Sequence, residues 1–145
     1  MTLVLSQQVQ EFIAEHRHGV ISTFGKNRAA HLTVVTHGLY QGTPAFTSNE
    51  GLVKLFNLKR DSRCSFLVMS PNGRTYVTLE GRAEVYAPGE SDAQQLRKVL
   101  REIYRAAARK EHPDWDDYDR AMLEKGRHGV LVVPERMYHN LGKYT

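Results

Sequence analysis

The sequence predicts an α+β fold: about six strands, with helices at the start, in a middle connection and late in the chain. Two observations carry this. Six runs rich in β-branched and aromatic residues are separated by turn-forming residues. Four other segments repeat their apolar residues at helical spacing. The chain has 145 residues, 41% of them hydrophobic and 25% charged. That composition suits one domain over residues 1–145, able to bury a core of its own. No repeat, low-complexity tract or linker divides it.

Leu5, Val9, Phe12 and Ile13 recur at helical spacing, with Ser6 placed to cap the helix. Residues 20–24, VISTF, read as a strand, and GKNR at 25–28 as a turn. Residues 29–40 are rich in β-branched residues and read as a second strand. The tight turn QGT joins it to PAFTS, 44–48, as a hairpin. A short helix follows, with Leu52, Leu55, Phe56 and Leu58 expected to face inward. Residues 64–70 read as a strand. Pro71, Asn72 and Gly73 turn the chain into a long strand, 74–87, where Gly81 marks a bulge or bend. Ser91 and Gln94 have the spacing of a capping box before the stripe Leu96, Val99, Leu100, Ile103, Tyr104 and Ala107. Trp115, Tyr118 and Met122 predict another helix, starting near Pro113 and Asp114. Residues 128–133 return to strand.

Several function classes drop out. The single cysteine, Cys64, excludes an internal disulfide framework and a Cys-based zinc cluster. The seven histidines form no HExxH pair and no compact ligand set, so no metal site is expected. His31 and His37 would share a strand face, which reads as a pocket wall or surface. Asp114, Asp116, Asp117 and Asp119 lack the glycine and terminal glutamate of a calcium loop and read as a solvated helix start. GxSxG, P-loop and GxGxxG signatures are absent. No apolar run is long enough to span a bilayer, and the N-terminus does not read as a signal peptide, so a cytoplasmic protein is expected.

The net charge is +4, and residues 51–63 hold most of the excess: Lys54, Lys59, Arg60 and Arg63 against Asp61. A concentrated cationic spot suits a small anion better than a nucleic-acid track, and no exposed aromatics interleave with it. The informative stretch is residues 46–63. A strand ends in Thr47 and Ser48, two hydroxyls. A turn and a helix start follow, and Lys54 stands near the first helical turn. Unpaired backbone N–H groups, hydroxyls and an ammonium together can hold a phosphate. The plainer alternative is an ordinary N-cap, Ser48 or Asn49, with solvated lysines. Arg60, Asp61 and Arg63 read as a local salt-bridge set.

In GVIST at 19–23, HLTVV at 31–35, KLFNLKRDSR at 54–63 and LEGRAEV at 79–85, the chain resembles the split-barrel superfamily that includes pyridoxamine 5'-phosphate oxidase. The late segment HPDWDDYDRAM, 112–122, is similar to the branch that binds coenzyme F420. The resemblance implies a six-stranded antiparallel split β-barrel with peripheral helices. It implies two chains paired as a homodimer, with F420, or FMN as the alternative, in the seam. It implies phosphate contacts from Thr47, Ser48, Asn49 and Lys54. It places Thr33 and Val34 beside the ring system, and Tyr76 at the cofactor from the partner chain. The sequence departs from the family at Leu52 and Phe56, where relatives can carry basic residues. The implied activity is hydride transfer to a small organic molecule, the redox chemistry residing in the cofactor. No catalytic side chain is identified. Tyr76, His31 and His37 are the candidate proton donors. A binding module that holds a flavin, deazaflavin or haem-like ring without turnover is the alternative.

Overall fold

The computed structural model describes residues 2–142. Helix α1 spans Gln7–Glu15, and the Ser6 hydroxyl caps it by accepting from the Val9 N–H. Strands β1 (His18–Phe24), β2 (Ala30–Thr36), β3 (Gly38–Tyr40) and β4 (Thr43–Ser48) follow, then α2 (Val53–Arg60). Strands β5 (Arg63–Met69) and β6 (Tyr76–Tyr86) precede α3 (Ala93–Ala108), α4 (Trp115–Glu124) and β7 (His128–His139). All seven strands join one antiparallel sheet in the order β2-β1-β5-β6-β7-β4-β3. The expected α+β split-barrel class is observed, with seven strands where six were expected.

The extra strand arises at His37. Residues 29–40 read as one strand, but the chain breaks there into β2 and β3. The His37 N–H bonds the Arg17 carbonyl rather than a sheet partner. Its imidazole is 1% exposed, and Nε2 lies 2.9 Å from the Ile13 carbonyl oxygen. A carbonyl only accepts, so Nε2 carries the proton. Burial lowers the pKa of His37, which favours this neutral form. β2 and β3 occupy opposite ends of the sheet order, yet one residue joins them. The sheet must therefore curl until its edges meet.

Register explains the two faces. Ile21, Thr33, Phe66, Leu79 and Met137 line up across five strands on the inner face. α1 and α2 close this interior: Val9, Ile13, Leu55 and Leu58 share a core with Ile21, Phe46, Phe66 and Leu79. The next row, Val34, Val20, Leu67, Thr78 and Tyr138, faces outward. α3 covers β4 and β7 through Val99 and Ile103 against Ala45 and Leu131. α4 rests on α3 through Tyr118 against Leu96 and Leu100. Gly38 permits a close approach here, since a Cβ would come within 2.5 Å of the α3 backbone at Ala107.

Other sequence expectations change in detail. The bulge at Gly81 is present: the β6–β7 register shifts between Glu80 and Gly81, and a Cβ would meet the Val133 carbonyl oxygen at 2.0 Å. β7 runs past 133 because Pro134, which has no N–H to donate, falls opposite that bulge. Asp92, not Ser91, caps α3 by accepting from the Gln95 N–H. Ser91 instead accepts from the Ala87 N–H, tightening the loop before the helix. Asp114 caps α4 as expected.

The face of α2 is the main correction. Leu52 and Phe56 were expected inside, but they are 43% and 58% exposed. Lys54, Leu55, Asn57 and Leu58 are the buried set. Leu55 and Leu58 fix the helix rotation by entering the core, and Lys54 and Asn57 turn inward with them. Asn57 finds partners there: its amide donates to Thr23 Oγ1, and its carbonyl accepts from Arg60. Asp61 and Arg63 form the expected salt bridge at 2.7 Å. Arg60 stands outside it, on Asn57.

Candidate functional site

β4 delivers Thr47 and Ser48 at its C-terminal end, and residues 49–52 turn the chain into α2. Gly51 has φ +87°, a left-handed conformation that suits glycine. Leu52 occupies the N-cap position of α2 and supplies no side-chain bond. Ser48 and Asn49 thus do not cap the helix. Asn49 accepts from the Arg127 guanidinium through Oδ1, and Thr47 Oγ1 accepts from Arg127 Nε at 2.9 Å. Ser48 is 2% exposed, and its Oγ has no partner.

The lysine is not solvated. Lys54 is 8% exposed, and its pKa is lowered, first by burial and then by the nearby charge of Arg127. Burial likewise lowers Arg127. A buried cation ordinarily finds a carboxylate. Among the described residues, neither Lys54 nor Arg127 makes a salt bridge. Half-buried Arg17 likewise makes no salt bridge among the described residues, and its Nε is buried without a hydrogen-bond partner. Across the β4–β7 ladder, Ser48 faces His128. His128 Nδ1 lies 2.8 Å from the Gly126 carbonyl oxygen and donates to it, and the buried Nε2 has no hydrogen-bond partner.

Beside this cluster a cleft of about 430 Å3 opens between the sheet and the α3–α4 pair. Arg17, Thr36, Thr47 and Arg127 line one side, and Tyr104, His112 and Tyr118 the other. The arrangement is an anion receptor: positive charge without internal neutralisation, hydroxyls at its rim, and apolar walls that reduce screening. The donors fit a phosphate. The buried Ser48 oxygen and the unneutralised cations Lys54 and Arg127 are the observations that say so.

The structure brings four expected site residues together: Thr47, Ser48 and Asn49 at the end of β4, with Lys54 beside Arg127. Thr33 and Val34 lie on opposite faces of β2. Val34 is 67% exposed, on the same face as Thr36, which lines the cleft. Thr33 shares the inner-face row with Ile21, and its Oγ1 lies 3.3 Å from His31 Nδ1. Tyr76 pairs with Met69, and its N–H donates to Asn140 Oδ1 at 2.8 Å. Sequence reasoning missed Arg127 and Arg17. The available signal was weak: each cation stands at the entry to a strand, just before β7 and β1. Among the described residues, no group of three or more His, Cys, Asp or Glu side chains could hold a metal ion, and no helix is long and apolar enough to cross a membrane.

The family pattern described as pyridoxamine 5'-phosphate oxidase matches residues 5–139. Solved structures share the fold. A conserved hypothetical protein, Rv2991 from Mycobacterium tuberculosis, superposes with TM-score 0.78 at 23% identity, covering 95% of this chain and 85% of that one. A protein named F420 reductase gives 0.63 at 13% identity, covering 92% of this chain and 98% of that one. A heme binding protein from Mycobacterium smegmatis gives 0.65 at 19% identity, covering 96% of this chain and 55% of that one. The chain thus spans about half the length of that last protein.

Proposed function

The chain belongs to the pyridoxamine 5'-phosphate oxidase family, and on that premise we propose that it binds coenzyme F420, with FMN as the alternative, and transfers a hydride between that cofactor and a small organic molecule. The observation that carries this reading is a pair of cations without salt bridges among the described residues, buried Lys54 and half-buried Arg127. A phosphate supplies the missing negative charge. Thr47 and Asn49, which now hold the Arg127 fork, keep the guanidinium in place for it. Arg127 also answers the departures at Leu52 and Phe56, because it brings positive charge to the phosphate region from β7 rather than from α2.

The cofactor, when bound, supplies hydride storage and transfer. The protein's part is anchoring, orientation and exclusion of water. Val34 offers an apolar surface for a ring, on the β2 face that leads to Thr36. Pairing of two chains belongs to the same proposal. The outward row from Val34 to Tyr138 is apolar at both ends, and Leu32 beside it is 65% exposed. A partner covering this face would remove that apolar surface from water and could bring its Tyr76 to the ring.

A second reading, binding without turnover, is favoured by one feature: Val20, the direct cross-strand partner of Val34, is apolar and has no proton to offer. One experiment separates the two. The absorbance spectrum and mass of any copurifying molecule are recorded, F420 and FMN are titrated by fluorescence, and the reduced cofactor is offered acceptors. Turnover supports the enzyme, tight binding without turnover supports the module, and failure to bind either cofactor removes both.

A further inference from the structure

The cleft has more than a cationic end. Its far arm is walled by Tyr104, His112 and Tyr118, with Ala107 and Ala121 leaving room between them and the sheet. The rings brace each other: Tyr104 and His112 are 5.3 Å apart, as are His112 and Tyr118. Arg17 faces this arm from the sheet side with a buried, unpartnered Nε. The Arg17 backbone is pinned, since its carbonyl accepts from the His37 N–H. The one carboxylate lining the cleft, Asp117, is bound to Arg120 at 3.1 Å. Among the described residues, none forms a salt bridge with Arg17.

We propose that this arm is a binding site for a small planar aromatic anion, held by Arg17 and Thr36 at its charged end and by Tyr104 and His112 against its ring. The chemistry follows from the walls. A guanidinium fork matches a carboxylate and prefers it to a neutral amide. Aromatic side chains favour a flat π-system set offset or edge-on to them. The volume, about 430 Å3, lies within the range of small-molecule sites and exceeds the needs of one anion. The site is complete within one protomer. It does not depend on the cofactor reading, although the two share the wall formed by Arg127.

Trp115, the only tryptophan, reports on the arm because it lies 5.7 Å from both Tyr104 and His112. Benzoate, benzamide and acetate are titrated into the cofactor-free protein, with Trp115 fluorescence and calorimetry as readouts. Benzoate is expected to bind at least about tenfold more tightly than benzamide or acetate, since only benzoate has both the ring and the charge. Arg17→Gln should erase the preference over benzamide and weaken benzoate far more than it weakens FMN. Ala107→Phe, which removes no charge, should block benzoate by filling the arm. Equal binding of the three probes, or none, overturns the proposal. So does displacement of benzoate by FMN together with equal loss of both ligands in Arg17→Gln, which would make the arm part of the cofactor's own site. Failure of FMN to bind, with benzoate still bound, would remove the cofactor reading alone.

Discussion

The α3–α4 pair and the end of β4 both carry several cations, and they treat them in opposite ways. On the helices, Asp119 takes Arg97 and Arg101, Glu102 and Glu111 take Arg105, and Asp117 takes Arg120. Arg101 and Arg105 also stand over the Trp115 ring, at 5.3 and 4.6 Å. At and beside the cleft, Arg17, Lys54 and Arg127 make no salt bridge among the described residues. The paired set is neutralised within the chain and gains nothing from an outside anion. The unpaired set carries a desolvation penalty that an outside anion would relieve. Net charge cannot make this distinction, because both regions are rich in basic residues. Burial and pairing make it.

The contrast can be broken directly by giving Arg127 a carboxylate partner. Thr47→Asp places an acid where Arg127 Nε now meets a hydroxyl. If the cations await an anion, the new side chain neutralises them and repels a phosphate. FMN or F420 affinity should fall by at least about a hundredfold, with Tm held near wild type by the new ion pair. Unchanged affinity in a fluorescence titration would mean the phosphate binds elsewhere.

Removing the buried charge is the milder version. Lys54→Met keeps the packing and deletes the ammonium. Cofactor affinity should drop roughly tenfold, as expected for one charge-assisted contact. Stability should rise, because an uncompensated buried charge is gone. The pH dependence supplies a signature. The folded pKa of Lys54 lies below the ordinary 10.5. Between the two values the unfolded chain holds a proton that the folded chain has released, so wild-type stability climbs with pH through that window. Lys54→Met should lose this climb in urea titrations run at a series of pH values. Phosphate affinity in the wild type should weaken over the same window, as the ammonium discharges.

These cations also show how far the sequence could be read. Element type was legible because apolar periodicity and turn residues are local signals, and they place nearly every helix and strand. Resemblance carried the barrel class and pointed to Thr47, Ser48, Asn49 and Lys54. What failed was orientation. α2 offers Leu52, Leu55, Phe56 and Leu58 as apolar candidates, which is more than one face can bury. Which of them turns inward depends on a barrel interior assembled from five distant strands. His37 split a strand for a similar reason, since its partners are the Arg17 and Ile13 carbonyls. Arg127 reaches Thr47 and Asn49 only because β7 lies beside β4, a pairing across about eighty residues that no local pattern encodes.

On the helical side, Asp119→Asn sharpens the comparison from the opposite direction. Asp119 is 17% exposed and accepts from Arg101 Nε at 3.0 Å, with Arg97 3.6 Å away. Its loss leaves two arginines unneutralised beside α4. Thermal unfolding should shift down by a few degrees, the scale of one lost partly buried network in a domain of this size. Cofactor affinity should stay within about twofold. A large loss of affinity at unchanged Tm would show that the two regions are not separate.

The smallest effect is expected at Arg120, and it tests whether pairing or burial is the active variable. Arg120 meets Asp117 at 3.1 Å with good geometry, but the two side chains are 63% and 64% exposed. Water screens such a pair, and ordering two mobile side chains offsets most of the attraction. Arg120→Ala should therefore change stability by no more than about 0.5 kcal/mol in urea denaturation. The variant also frees the Asp117 carboxylate, at the edge of the aromatic arm, without burying any charge. If pairing alone decided which cations matter, this variant would be as damaging as Asp119→Asn. A loss that large would refute the view that desolvation separates the structural arginines from the cleft cations.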